Sequence, residues 1–516
     1  MREVLNEEVL INAGIGETRV ATVIDGRLDQ IVLERASAPS GGRAGHSLLG
    51  NIYLGRVQRV LPGMQAAFVE IGLKRAGFLG AREARCLTDL MDDQENLPPP
   101  ISQCVREGQA LLVQVVKDPI RDKGARLSAN VTLPGRLLVL APNQDGVALS
   151  RRIEDGAERE RLTRICEAMT ARMKQINADT AGMNSGNLPI KTGGYIVRTA
   201  AIGAHLNDLE TDAVRLNDLW REIERRRVSA GAPACVYHDI DPVEKAMRDC
   251  VGINTRRVLV DDGEAFRVAQ RYAGENMPEM LPRLERFHGP GALFDLFGVE
   301  EDLRMAHDPI VPLRSGGHLV IETTEALTAV DINSGSYTEA TGLEETSVRT
   351  NLEAAGEISR QLKLRGIGGV IVIDFIHMSE PANIARVLDV LHAGMANDRT
   401  PTQISGMSEF GLVQMTRKRT REPLFRLLSD DCGACGGSGR RRSLVAVGNE
   451  ILRKAECESS HRAGHPVKIS ASGEIAAWLE DGEEDLLARL AGRLGVAVTV
   501  EARPGFARER YEISLG

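Results

Sequence analysis

The chain has 516 residues, 42% hydrophobic and 26% charged, the make-up of an ordinary folded protein with room for two to four domains. A net charge of −8 and a pI near 5.8 exclude a whole-molecule basic field, so a polyanion would have to be met by a local patch. No run is apolar enough for a membrane span, the acidic start MREVLNEEVLINAG lacks a signal-peptide core, and eight scattered cysteines outline no disulfide framework. A cytoplasmic location is the expectation.

Residues 8 to 35 alternate as strands do, with Asp25-Gly26 as a hairpin turn between RVATV and LDQIVLE. A Pro/Ser/Gly-rich link from Ser37 to Gly45 marks a boundary. Beyond it, GNIYLGRVQRVLPGMQAAFVEIGLKRAGFLGAREA and QALLVQVVKDPIRDKGARLSANVTLPG read as short strands separated by Gly and Pro turns. That spacing predicts a small barrel. Aromatic residues make up only 3% of the chain, yet Tyr53, Phe68 and Phe78 fall here, beside Lys117, Arg121, Lys123 and Arg126. Stacking faces plus cations suit single-stranded nucleic acid. The bland alternative, aromatics in the barrel core and lysines on a solvated turn, fits Phe68 better than Phe78.

LLVLAPNQDGVALSRRI reads as a strand pair, and a helix is predicted from about Asp155 to Ile176. In TGGYIVRTAA, Arg198 and Thr199 end an apolar strand. A guanidinium beside a hydroxyl can grip phosphate, although a surface ion pair is the commoner use of such an arginine. A charged helix from Leu206 to Arg227 follows, then helix, strand and helix in α/β style up to Tyr272. The pattern predicts a divided α/β unit whose two parts flank the barrel.

The stretch from His318 to Phe375 carries the chemistry. Two apolar runs, Ala326 to Val330 and Gly369 to Ile373, each end in an aspartate, Asp331 and Asp374. Val348, Leu352, Ala355, Ile358 and Leu362 give the segment between them a helical stripe. Strand, helix, strand is a parallel crossover, which brings both aspartates to one carboxyl edge. Asn333 would return to the face of Asp331. Two carboxylates and an amide oxygen suit a hard divalent cation, Mg²⁺ or Mn²⁺. Aspartates that merely cap the following turns are an equally good reading of the spacing alone. No histidine pair accompanies these motifs.

Downstream, the basic run Arg417 to Arg421 would suit a polyanion brought to that edge, or would be a solvated face. Cys432 and Cys435 in DDCGACGGSGRRRS resemble half of a zinc knuckle with no second pair in the chain. They form an unmetallated turn, or two copies share one ion. A redox pair would want thioredoxin-like surroundings, and none are evident in the sequence. The tail from about Leu444 reads as a small α/β domain.

Taken together, EALTAVDINSG and NLEAAGEISRQLKLRGIGGVIVIDF resemble the catalytic region of the RNase E/G endoribonucleases. GNIYLGRV, QAAFVEIG and GFLG resemble that family's inserted S1-like barrel, IVRTA its 5′-phosphate sensor, and the close-set cysteines its zinc link. The resemblance covers nearly the whole chain in the family's order, and is nearer the short RNase G type. It implies a multidomain α/β chain. An RNase H-like part is split over 1–36 and 244–306, with an S1-like OB-fold barrel over 37–129 and the sensor region over 130–243. A DNase I-like catalytic part covers 307–428, a zinc link 429–443, and a small C-terminal α/β domain 444–516.

The same resemblance implies Mg²⁺ on Asp331 and Asp374 with Asn333 orienting the site. It implies RNA contacts from Phe68, Phe78, Lys117 and Lys123, and a 5′-monophosphate pocket of Gly135, Val139, Arg198 and Thr199. Zn²⁺ shared by Cys432 and Cys435 of two protomers would give a homodimer, or a dimer of dimers. The implied activity is cleavage of single-stranded RNA, rRNA precursors and mRNA, leaving 5′-phosphate and 3′-hydroxyl ends. A catalytically weak RNA-binding or scaffolding member of the family is the runner-up. Two departures stand out: Gly433 replaces the link's usual proline, and Pro401 stands where a sensor arginine is expected, with Arg399 two residues earlier.

Overall fold

The computed structural model describes residues 6–35, 48–87, 98–119, 123–183, 193–335, 343–396, 398, 400–461, 464–480 and 486–516. Arg121 and Arg399 lie outside the described residues. The chain divides into two compact units, residues 1–424 and 425–516.

In the first unit, β1 (Glu7–Ala13), β2 (Glu17–Ile24) and β3 (Arg27–Arg35) form a meander. Asp25 and Gly26 both take positive φ, 49° and 76°, which is the turn that matches the twist of a two-residue hairpin. The chain then leaves to build a barrel from β4 (Ile52–Leu61), β5 (Ala66–Glu70), β6 (Gly77–Gly80), β7 (Ala110–Lys117) and β8 (Arg126–Ser128). The order β4-β5-β6-β8-β7 closes through β7 back onto β4. Val57, Val69, Leu79, Val113, Val115 and Leu127 fill its interior. The expected small barrel is present.

Next come β9 (Leu133–Pro134), β10 (Leu138–Ala141), β11 (Val147–Leu149) and β12 (Gly194–Val197). The strand pair expected over Leu137–Ile153 does not form. β12 lies between β10 and β11, antiparallel to the first and parallel to the second. The helix Gly156–Met183 carries the chain away from β11 before β12 returns, so the local hairpin loses to a longer-range insertion. The helix Leu206–Ser229 buries Leu209, Ala213, Leu216, Trp220 and Ile223 in the same core as β10 and β12. β13 (Ala234–Tyr237) then pairs along β4.

After the helix Pro242–Asp249, β14 (Thr255–Val260) pairs in parallel with β1, and β15 (Leu284–Arg286) completes the sheet β15-β14-β1-β2-β3. The divided unit is therefore real: residues about 250 apart are neighbours. Asn12, for example, donates from its side chain to Asp261 at 2.5 Å.

The second large sheet runs β16-β17-β18-β19-β21-β20, from β16 (Ile310–Pro312), β17 (His318–Thr323), β18 (Leu327–Asn333), β19 (Gly369–Asp374), β20 (Thr402–Met407) and β21 (Leu412–Arg417). β18 and β19 are parallel, joined by the helix Leu343–Leu364. That helix and Pro381–Ala396 pack on one face, against Leu319, Ile321, Val330, Ile332, Ile371, Ile373, Val413 and Met415. The polar side of Leu343–Leu364 is no solvated face. Glu357 pairs with Arg27 at 3.0 Å, Lys363 with Asp29 at 2.6 Å, and Arg360 donates to the Leu28 carbonyl at 2.7 Å. The crossover helix is thus clamped between its own sheet and β3.

In the second unit, β22 (Val467–Ala471) lies between β23 (Val498–Ala502), parallel, and β24 (Tyr511–Leu515), antiparallel. Helices Leu444–His461, Gly473–Glu480 and Leu486–Leu494 supply Val447, Ile451, Ile475, Leu479 and Leu490 to the core. Gly448 is needed there, because a Cβ would stand 2.0 Å from the Trp478 ring.

Candidate active site and RNA-binding surfaces

Asp331 and Asp374 are register partners on adjacent parallel strands, which lie about 4.8 Å apart. Partners across a ladder share a face. Val330, Ile332, Ile371 and Ile373 are buried against the helices, so the alternation sends Asp331, Asn333 and Asp374 to the opposite, uncovered face. Both aspartates are exposed, and neither meets a cation among the described residues. The Asn333 amide donates to Asp331 Oδ2 at 2.9 Å, which leaves the amide oxygen directed away from that contact.

Glycine is required at the end of β18. A Cβ on Gly335 would stand 2.0 Å from the Gly316 carbonyl oxygen, and one on Gly317 2.5 Å from that of Asn333. The other aspartate is steadied from the crossover helix. Buried Asn351 donates to the Ile376 carbonyl at 2.8 Å and accepts from the Ile376 N–H at 3.1 Å, pinning the chain two residues past Asp374. Glu344, in the first turn of that helix, accepts from the Ser379 and Glu380 N–H groups and from Asn383, and these bonds hold its carboxyl below the usual range.

An all-oxygen set of two carboxylates suits a hard divalent ion that keeps several waters. Among the described residues no third His, Cys, Asp or Glu joins the pair, so water and substrate oxygens would complete the coordination. The sequence showed no histidine pair at this edge. In the structure half-buried His318 is the cross-strand partner of Asn333, and exposed His377 follows Asp374 by three residues. Only the β17–β18 register brings His318 there, which composition and spacing do not reveal.

The basic run does not adjoin this edge. β21 is antiparallel to β19, so Leu412 faces Asp374 while Arg417 faces Gly369, five residues and about 17 Å along the strand. Arg417 is buried, pairs with Asp398 at 2.7 Å and donates to the Ile367 carbonyl at 2.7 Å. Arg419 donates to the Gly368 carbonyl at 3.0 Å, and Arg421 to the carbonyls of Lys363 and Ile31. Arg417 and Arg421 are committed to the fold, whereas Arg419 is exposed and keeps the solvated character that a surface charge run would have.

On the barrel, strand register lines up a row of side chains. Arg59 faces Phe68, Phe68 faces Phe78, Phe78 faces Arg126, and Arg126 faces Lys117. Their neighbours Val57, Val69, Leu79, Leu127 and Val115 point inward, so the row lies on the outer surface. The two rings meet edge to face, 6.2 Å between centroids, and both are half-exposed. Phe68 is therefore not core. Arg59, Lys117, Lys123 and Arg126 are exposed, with Arg126 bonded to Glu83 at 2.5 Å. The sequence reading passed over Arg59; the signal was its odd–even position on β4, obscured by a one-residue bulge between Val57 and Arg59.

The four sensor candidates also converge. Gly135 and Val139 lie on the β9–β10 turn and β10, and β12 brings Arg198 and Thr199 beside them. Arg198 donates to the Gly135 carbonyl and pairs with Asp249 at 2.7 Å. Arg248 clasps the same carboxylate, also at 2.7 Å. Burial pushes the Asp249 carboxyl up, but the hydrogen bonds and charges of Arg248 and Arg198 outweigh it and hold it below the usual range. A Cβ on Gly135 would stand 2.6 Å from Asp212, whose carboxylate accepts from the Leu137 and Leu138 N–H groups. Pro401 offers no guanidinium, and its carbonyl accepts from the Lys418 N–H at 3.0 Å.

In the second unit, the Gly436 N–H closes on the Cys432 carbonyl at 2.7 Å. The Ala434 and Cys435 N–H groups, then the Cys435 thiol and the charge of Arg441, hold the exposed Cys432 thiol below the ordinary thiol range. Two close-set thiols on one turn fit half of a tetrahedral zinc set. Among the described residues no further ligand completes it.

Comparison with known proteins agrees with this arrangement. The model of the Ribonuclease E/G family matches residues 132–420, and that of the "RNase E/G, Thioredoxin-like domain" matches 431–516. The second match corrects the expectation that nothing thioredoxin-like surrounds the cysteines. Ribonuclease G of Salmonella typhimurium is 38% identical over 99% of this chain and 100% of its own length. Ribonuclease G of Haemophilus influenzae is 37% identical over 98% and 99%. Ribonuclease E of Nostoc is 38% identical over 77% of this chain and 55% of its own length.

Proposed function

The chain belongs to the Ribonuclease E/G family and is an endoribonuclease, and from that premise we propose that it cuts single-stranded RNA at Asp331 and Asp374 with Mg²⁺. The observation that carries this reading is the register pairing of two aspartates that meet no cation among the described residues, on an open sheet face, with Asn333 bonded to one of them. Asp331 and Asp374 would hold the ion, and Asn333 would fix the rotamer of Asp331. Bound there, Mg²⁺ would neutralise charge on the phosphate oxygens and make a coordinated water more acidic. The products would be a 5′-phosphate and a 3′-hydroxyl.

The remaining surfaces take roles around that centre. Phe68 and Phe78 stack bases, while Arg59, Arg126, Lys117 and Lys123 neutralise phosphates along the row. Arg198, held by Gly135 and Asp249, receives a 5′-monophosphate together with Thr199. Substrates of the rRNA-precursor and mRNA type follow from the family. The split sheet and the one-faced sheet support the RNase H-like and DNase I-like reading of the two parts. Cys432 and Cys435 supply two of four zinc ligands, the other pair coming from a second copy, so the working form is a homodimer.

One assay addresses the core of this. A short single-stranded RNA with a 5′-monophosphate, 5′-triphosphate or 5′-hydroxyl end is incubated with and without Mg²⁺, and the product ends are identified. Internal cuts that need Mg²⁺ and are fastest on the monophosphate are expected; metal-independent cleavage, or a 2′,3′-cyclic phosphate product, overturns the assignment. For the link, zinc content and molecular size are measured on wild type and Cys432→Ser. A zinc-free wild type, or a variant still dimeric, rejects it.

A further inference from the structure

Phe410 stands at the tip of the β20–β21 turn with its side chain 85% exposed. A single exposed hydrophobic residue means little by itself; its position gives this one meaning. Leu412, the first residue of β21, is the register partner of Asp374, and Phe410 precedes it by two residues. The turn therefore projects from the same end of the sheet as the two aspartates, within about 7 Å of chain from the row that contains them. A Cβ on Gly411 would lie 3.8 Å from the Phe375 carbonyl, so the turn rests on the backbone that immediately follows Asp374.

The turn is also built to hold its shape. The Ser408 N–H donates to the Leu412 carbonyl at 2.9 Å, the Gly411 N–H donates to the Ser408 carbonyl at 3.0 Å, and the Leu412 N–H donates to Ser408 Oγ at 3.2 Å. Gly411 takes φ +81°, which a side chain would strain. Among the described residues no aromatic ring or cation covers the Phe410 face. An aromatic ring left bare on a fixed turn beside a carboxylate pair costs the free protein apolar exposure. An unpaired base next to the scissile phosphate is a flat partner that would cover it.

We propose that Phe410 is a stacking platform for the nucleobase beside the cleaved linkage, separate from the Phe68–Phe78 pair on the barrel. It would position the phosphate against Asp331 and Asp374 by fixing the adjoining base, and so bias where the chain cuts. This rests on the reading of those aspartates as the cleavage site.

The test uses the full chain and a short single-stranded RNA with one mapped cut, together with a series in which a single nucleotide is abasic. Phe410→Ala should slow cleavage of the intact RNA about 5- to 100-fold, the span of one lost base–aromatic stack, while Phe410→Trp keeps the rate and Ile253→Ala, equally exposed elsewhere, leaves it unchanged. One abasic position adjoining the cut should slow wild type by a similar factor and cause no further loss in Phe410→Ala. Losses that multiply at every position overturn the proposal. So does an unchanged rate in Phe410→Ala while Asp374→Asn is inactive, or a change in oligomeric state without coupling to any abasic position. If Asp374→Asn still cleaves, it is the aspartate site itself that fails. Binding of the abasic series to Asp374→Asn, with and without Phe410→Ala, reads the stack apart from the chemistry.

Discussion

The two ends of β19 make an instructive pair. At its carboxyl end stand Asp331 and Asp374, exposed and without a cationic partner among the described residues. At its amino end stand Arg417 and Arg421, whose guanidiniums are taken up by Asp398 and by the carbonyls of Ile367, Lys363 and Ile31, beside the exposed Arg419. In the sequence both are charge clusters beside a strand. What separates them is saturation: charges with their hydrogen bonds filled hold the fold, and charges left open are available to a ligand.

The largest expected effect breaks the open end. Asp374→Asn keeps shape and removes one charge, so cleavage should fall about 10³-fold, the equivalent of several kcal/mol of phosphate charge stabilisation. RNA affinity and thermal stability should stay near wild type. Retained cleavage with Mg²⁺ present would sink the assignment of this end to chemistry.

The closed end should respond in the opposite way. Arg417→Ala strands Asp398 in a buried site and should cost about 3–5 kcal/mol of stability, with little change in rate per folded molecule. The pH dependence has a sign. In the wild type, burial raises the Asp398 carboxyl but its bonds to Arg417 and the Thr400 N–H prevail and hold it low. Its contribution is therefore present above about pH 4 and lost as pH falls through the lowered value. Without Arg417, burial is opposed only by the Thr400 bonds and the carboxyl rises from its wild-type position, so the variant's deficit should shrink on acidification. Denaturant unfolding at pH 7 and pH 5 measures this; an equal deficit at both values refutes the account.

How much of this was legible follows the same division. The aspartate edge could be read because its logic is local: two apolar runs end in Asp and one helical stripe joins them. The barrel was legible from turn spacing, and the split sheet from its two halves. The row Arg59–Phe68–Phe78–Arg126–Lys117 was only partly legible, because it is assembled by register across five strands and two bulges. The fate of the basic run was not legible, since Arg417 faces Gly369 through an antiparallel pairing and Arg421 reaches a carbonyl 390 residues away. Nor was the burial of Glu357 and Gln361, whose helix face looks solvated until β3 covers it. Long-range partners decide saturation, and periodicity carries no record of them.

The barrel row extends the comparison to apolar groups. Phe78 is half-exposed and touches Phe68 only by an edge, so it retains an open face. Phe78→Ala should weaken binding of single-stranded RNA by about 1–3 kcal/mol and leave the barrel core intact. Arg126→Ala should weaken binding less and lower the salt dependence by about 0.7 in slope, the loss of one phosphate contact. Filter or fluorescence binding across a salt series distinguishes them. A Phe78 variant with wild-type affinity and a lowered unfolding midpoint would return that ring to the core.

The sensor arginine is the intermediate case, and the smallest effect is expected there. Arg198 is half-buried, bonded to the Gly135 carbonyl and paired with Asp249, which Arg248 also holds. Two cations on one carboxylate leave net positive charge, so the cluster keeps a capacity for a further anion although each arginine is already partnered. Asp249→Asn preserves an acceptor for both guanidiniums but weakens their orientation by about 1 kcal/mol, the worth of one ordinary hydrogen bond. The preference for 5′-monophosphate over 5′-hydroxyl RNA, taken as a ratio of kcat/KM, should fall about fivefold while the 5′-hydroxyl rate holds. A preference that rises instead would mean that Asp249 competes with the phosphate for Arg198 rather than aiming it, and would move this pair from the open class of charges to the closed one.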